Sequence, residues 1–131
     1  MIGLDTNVLV RYIAQDEPQQ SAIATTLITS LSSENPGYIT IVALTELVWV
    51  MQSCYNATKP EVITILDMLL KTKELVVENA ETAIKALTIF TRSNADFSDC
   101  LIERSAHKAG CDYTATFDKK AAKTTGMRLQ S

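Results

Sequence analysis

An α/β domain built on a parallel sheet with helices on both sides is the fold class this sequence predicts, and three observations predict it. Short strand-like runs at residues 1–4, 38–40, 75–77 and 111–116 are separated by longer stretches of helical periodicity. Their order, strand, two helices, strand, two helices, strand, helix, is the alternation of parallel strands joined by crossovers. Two of the runs end on an acid, Leu4-Asp5 and Phe117-Asp118, where the ligand site of an open α/β sheet lies.

Each element has its own local reason. The first run, MIGL, carries no charge before Asp5 and reads as a central strand covered on both faces. Thr6 and Asn7 open a helix through Ile13, because short polar side chains cap the free amides of a helix start. Asp5 at this turn is either a second cap or a site acid. Asp16, Glu17 and Pro18 break the pattern, and Pro18 starts a second helix with Ile23, Ala24, Leu27, Ile28 and Leu31 on one side. That helix ends before Asn35, Pro36 and Gly37, and a short second strand at 38–40 runs into a helix over Ile41–Cys54. Glu46 is the sole charge in ITIVALTELVWVMQ. Facing inward it costs several kcal/mol unless paired or bound to a cation; the alternative places it on a polar stripe with Thr45 and Gln52.

Thr58, Pro60 and Glu61 form a capping box with proline in the first turn, followed by Val62, Ile65, Leu66, Leu69 and Leu70 on a helix. Leu75–Val77 is the third strand, and Asn79 caps a helix from Ala80 to about Ser93. Asp96 is placed to cap the next helix with Asp99 at its third position, as in a capping box, and Gly110 to end it. Residues 111–116 form the fourth main strand. Lys119, Lys120 and Ala121 begin a short helix, and residues 127–129 add an edge strand or a docking tail.

A chain of 131 residues, 47% hydrophobic and 21% charged, is read as one domain over 1–131 and is neither disordered, collagen-like nor a disulfide scaffold. No uninterrupted apolar stretch reaches about 18 residues and no signal-peptide pattern opens the chain, so a soluble cytoplasmic protein with no membrane partner is expected. Cys54, Cys100 and Cys111 are expected as reduced thiols, and the single His107 as structural or solvent-facing, so no His–Cys metal cluster can form. The net charge of −3 argues against a polyanionic partner. Six of the twelve basic residues nevertheless fall at or after Arg104, which allows a local basic rim beside the plainer reading of a solvated helix face.

Asp5 and Asp118 end strands, Asp99 opens a helix and Glu46 lies early in the helix after the second strand, so all four are expected at one edge of the sheet. Two unit charges about 4 Å apart repel by roughly 4 kcal/mol at an effective dielectric of 20, so such a cluster demands protonation or a cation. Oxygen ligands select Mg2+ or Mn2+. Metal-assisted hydrolysis of a phosphodiester suits these groups, and no Ser or Cys nucleophile paired with a base competes.

With these residues in view the sequence resembles the PIN-domain ribonucleases, and among them the VapC toxins of prokaryotic toxin–antitoxin pairs. The matching motifs are IGLDTNVLVRYI, ITIVALTELVWVM, ADFSDCLI and AGCDYTATFDKKAAK, in family order and over nearly the whole chain. The resemblance implies a three-layer α/β/α fold with a central parallel sheet of four to five strands. It makes Asp5, Glu46, Asp99 and Asp118 the metal-binding catalytic acids, with Asp96 as an extra acid whose alternative is the helix cap, and Asn7 and Thr116 orienting carboxylates or water. It implies Mg2+-dependent cleavage of RNA, tRNA or rRNA in the family, a homodimer, and neutralisation by a VapB antitoxin. The toxin and antitoxin form a higher assembly that reaches operator DNA only through the antitoxin.

Rival readings each lack a residue. A haloacid-dehalogenase-type phosphatase needs a second acid two residues after the first, where Asn7 stands, and a receiver-like phosphoacceptor needs an acidic doublet after the first strand. A non-catalytic PIN-like RNA-binding module is expected to lack one of the four acids, and all four are present.

Overall fold

The computed structural model describes all of residues 1–131, which divide into two compact units, Met1–Glu78 and Asn79–Ser131. In the first unit the order is β1 (Ile2–Gly3), α1 (Thr6–Ala14), α2 (Pro18–Thr29), β2 (Gly37–Ile39), α3 (Ile41–Cys54), α4 (Lys59–Lys71) and β3 (Leu75–Val77). The strands form a parallel sheet in the order β1-β2-β3, with Ile2 opposite Gly37 and Gly37 opposite Leu75. α1 packs on α2 and α3, and α4 on α3 and β3. Leu9, Ile39, Leu44, Leu47, Leu66 and Leu69 are wholly buried.

Close approach at the middle strand explains its glycine. A Cβ on Gly37 would lie 2.8 Å from Leu4 Cδ1 and 2.9 Å from Leu31 Cδ1, so a larger residue would push into the packed leucines. α4 begins with the expected capping box, Thr58 Oγ1 accepting from the Glu61 amide and Glu61 Oε1 from the Thr58 amide.

The second unit contains α5 (Ala80–Arg92), α6 (Phe97–Lys108), β4 (Ala115–Thr116), α7 (Lys119–Thr125) and β5 (Arg128–Leu129). α5 and α6 pack together, with the Phe90 and Phe97 rings edge to face at 5.8 Å. α6 closes in a Schellman turn: the Cys111 amide donates to Ala106 O and the Gly110 amide to His107 O, with Gly110 at φ +95°, where a Cβ would be strained.

Several expectations are corrected. β1 is not the central strand; β2 is, and Ile2 is 36% exposed, because β1 stops after two residues to let Asp5 cap α1. The parallel sheet has three strands, fewer than four to five, and β4 and β5 pair with each other in a separate parallel ladder. The strand expected over 111–116 is only two residues long because only Arg128 and Leu129 pair with it, and Asp118 already caps α7. Ile23 lies on the solvent side of α2, which turns Ser21 and Ala24 inward instead. Asn79 and Asp96 occupy N-cap positions, yet neither side chain makes a capping hydrogen bond; Asn79 is left-handed at φ 48°. No helix is long and apolar enough to cross a membrane.

Candidate active site

In the first unit the site grows from the junction of β1 with α1. Asp5 is the N-cap of α1, its Oδ1 accepting from the Thr6 amide at 2.8 Å, while Oδ2 accepts no hydrogen bond. Thr6 is buried, and its hydroxyl donates to Glu46 Oε1 at 3.0 Å. One residue therefore ties the two acids: its backbone holds Asp5 and its hydroxyl holds Glu46. α3, which carries Glu46, is fixed at its own start by Thr40 Oγ1 on the Ala43 amide and by Glu78 Oε1 on the Ile41 amide. Glu46 is exposed, so the inward, unpaired placement does not occur.

Asp5, Thr6, Asn7, Arg11, Glu46 and Tyr55 line one groove, with the apolar side chains Val10 and Val50. Asn7 is exposed at its rim and makes no hydrogen bond through its side chain. Arg11 is braced there by Gln20 Oε1 at 2.8 Å, Asp16 Oδ1 at 3.3 Å and the Tyr55 hydroxyl at 3.4 Å. Tyr55 in turn donates to Asp16 Oδ2 at 2.8 Å, and this bond holds the Asp16 carboxyl below its usual range and pushes the Tyr55 phenol up. The groove thus offers two carboxylates and one anchored guanidinium.

In the second unit, Asp118 is the N-cap of α7 and its Oδ1 accepts from the Lys120 and Ala121 amides at 2.8 and 3.1 Å. Thr116 Oγ1 accepts from the Asp118 amide at 3.0 Å, so Thr116 shapes the turn that presents this acid. Asp99, at the third position of α6, is partly buried, and its carboxyl is raised above the ordinary value first by burial and then by the charges of Asp96 and Asp118; Lys120 opposes the shift. Lys120 Nζ lies 3.4 Å from Asp96 Oδ1, an exposed pair that contributes little. Asp96 therefore meets a lysine where a cap was expected, and Asp99 serves no capping box. The adjacent Cys100 thiol, pushed up to about 11 by burial and then by Asp99, is unreactive.

The structure thus places Asp5 with Glu46 in the first unit, and in the second it puts Asp99 within electrostatic reach of Asp96 and Asp118. No three His, Cys, Asp or Glu side chains stand together as a ready metal-holding group. The donor set nevertheless suits a hard cation, since all are carboxylate oxygens and Asp5 Oδ2, Glu46 Oε2 and Asp118 Oδ2 accept no protein hydrogen bond. Sequence reasoning missed Thr6, Arg11 and Tyr55. Thr6 could have been found, because it shares a helical stripe with Leu9, Val10 and Ile13, and a hydroxyl on a buried stripe needs a partner. The bracing of Arg11 depends on residues up to 44 positions away and had no local signal.

No curated protein matches the chain. The family model of the PIN domain matches residues 2–127. That match takes in both acid-bearing units almost from end to end, and the protein belongs to the PIN domain family.

Proposed function

We propose that the protein is a Mg2+-dependent endoribonuclease of the VapC toxin kind, acting in the cytoplasm on tRNA or rRNA and held in check by a VapB-type antitoxin. The observation that carries this reading is the tie of Asp5 and Glu46 through Thr6, together with a partly buried Asp99 whose carboxyl is raised first by burial and then by the charges of Asp96 and Asp118, in a chain of the PIN family. Like charges held together are a standing cost that a cation offsets.

Asp5 and Glu46 in the first unit, and Asp99 and Asp118 in the second, are the metal-binding acids, with Mn2+ an acceptable substitute for Mg2+. When bound, the ion supplies an activated water and charge neutralisation at the phosphodiester. The residues do the rest. Thr6 holds Glu46 by its hydroxyl and Asp5 by its amide, fixing both before substrate arrives. Thr116 and the α7 amides orient Asp118. Arg11, braced on three sides, presents cationic N–H groups to a phosphate in the groove beside Asp5 and Glu46. The protein works as a homodimer that joins a larger assembly with its antitoxin, and contact with operator DNA belongs to the antitoxin.

Induced expression in a bacterial host tests this reading. Expression is expected to arrest growth and leave newly cut RNA ends, Glu46→Gln to do neither while accumulating as folded protein, and a co-expressed antitoxin from the adjoining reading frame to restore growth. Arrest and cleavage that survive Glu46→Gln would overturn the assignment.

A further inference from the structure

Phe117 is the most exposed large apolar side chain in the protein, at 84%, and it immediately precedes the site acid Asp118. A single exposed apolar side chain is ordinary on a protein surface, so what sets Phe117 apart is the company it keeps. The last stretch of the second unit is basic in sequence, beside the acids Asp96, Asp99 and Asp118. Residues 111–131 carry Lys119, Lys120, Lys123 and Arg128 against Asp112 and Asp118, a formal side-chain charge of +2 in a chain of net charge −3. Lys119 and Lys123 are exposed and have no ion-pair partner, whereas Lys120 leans to Asp96. Arg128 lies with its guanidinium carbon 3.7 Å from the centre of the half-exposed Tyr113 ring, and it pairs across the ladder with Ala115, two residues before Phe117. Stacking on a ring uses the face of the guanidinium and leaves its N–H edge free for an anion.

We propose that β4, α7 and β5 form a holding strip for single-stranded RNA, in which Phe117 stacks on a nucleobase while Lys119, Lys123 and Arg128 take the flanking phosphates. Aromatic rings set among cations are how single strands are held without a sequence code. Paired bases are stacked on one another, so a duplex offers Phe117 no free face. A protein partner fits the strip less well, because lysine is depleted from the cores of protein interfaces. Phe117 is thus a positioning residue, setting one nucleotide beside Asp118. This deepens the nuclease reading and rests on it only for what happens next to the stacked base.

Fluorescence anisotropy of the full chain in EDTA, with an unstructured RNA oligonucleotide and with the same strand annealed to its complement, tests the strip without cleavage. Phe117→Ala is expected to weaken single-strand binding by roughly tenfold, Phe117→Tyr and Phe117→Trp to keep it, and Phe117→Leu to behave like the alanine variant. Duplex binding is expected to stay unchanged. The pair Lys119→Gln and Lys123→Gln should lower the slope of log Kd against log salt by about 1.4, and Phe117→Ala should leave that slope alone. Wild-type affinity in Phe117→Ala, full affinity in Phe117→Leu, or loss of self-association without a change in RNA affinity would each overturn the proposal. Stacking without Mg2+-dependent cleavage would leave the strip standing and remove the nuclease reading; cleavage with an inert Phe117 would do the reverse.

Discussion

Replacing Thr6 by valine separates what holds the fold from what holds the site. Valine keeps the branched shape in a buried position and removes only the hydroxyl that donates to Glu46 Oε1 at 3.0 Å. A hydrogen bond to a charged partner is worth about 1.5–3 kcal/mol and a neutral one about 0.5–1.5. Because Glu46 is exposed, water replaces the lost donor and the stability cost falls to about 1 kcal/mol, a drop in Tm of roughly 3–5 °C for a chain of this size. Activity should suffer more, since a carboxylate no longer tethered next to Asp5 must be ordered afresh at every turnover; loss of such a supporting bond typically lowers metal affinity or activity by about 10–100-fold. Thr6→Ser supplies the contrast: it keeps the hydroxyl but opens a methyl-sized void, so its Tm should fall by a similar amount while cleavage stays near wild type. The assays are thermal melts in EDTA and initial rates of RNA cleavage across a Mg2+ titration. A Thr6→Val protein that cleaves at the wild-type rate with an unchanged Mg2+ midpoint would show that the bond to Glu46 plays no part in the chemistry.

Three further outcomes follow from the same geometry. The raised carboxyl of Asp99 means that the folded protein takes up this proton more readily than the unfolded chain, so its charge destabilises the fold at neutral pH and the penalty fades as pH falls through the folded pKa. Asp99→Asn should therefore melt above wild type in EDTA at pH 7, the gap closing towards pH of about 4, and Mg2+ should stabilise wild type more than the variant; a gap that widens on acidification would contradict this. Asp96→Ala removes no capping bond, only an exposed pair with Lys120, so urea unfolding should shift by no more than about 0.5 kcal/mol, and a loss of several times that would restore the cap. Gly37→Ala drives a methyl into Leu4, Leu31 and Leu75 and should cost about 1–3 kcal/mol in the same assay, with no loss expected only if those side chains re-pack freely.

What could be read from the chain was whatever local chemistry decides. The limits of α3, Ile41–Cys54, and of β3, Leu75–Val77, are those the apolar pattern indicates, and the Thr58–Glu61 box stands where four residues specify it. Pairing partners are another matter. No local signal says that residues 115–116 meet 128–129, and that pairing, not the run of residues from Cys111, sets the length of β4. Caps misled for a related reason: Asp96 has the right residue type at the right place, but its carboxylate is drawn to Lys120, 24 positions on. Asp5 caps the start of α1, whereas Asp99 is raised first by burial and then by the charges of Asp96 and Asp118. The four acids were legible as residues; the hydroxyl of Thr6 on Glu46 and the bracing of Arg11 in the groove beside Asp5 and Glu46 are tertiary contacts.

The central claim is that these acids serve metal-dependent cleavage of RNA, and purified protein tests it most directly. Wild type and the Asp5→Asn, Glu46→Gln, Asp99→Asn and Asp118→Asn variants are incubated with end-labelled RNA in Mg2+ and in EDTA, beside an acyl-phosphate donor as a control for phosphatase or receiver chemistry. On that claim, internal cuts are expected from wild type in Mg2+ alone, with none by any variant that still melts cooperatively and no turnover of the acyl phosphate. Cleavage in EDTA, or wild-type cleavage by all four variants in Mg2+, would contradict it.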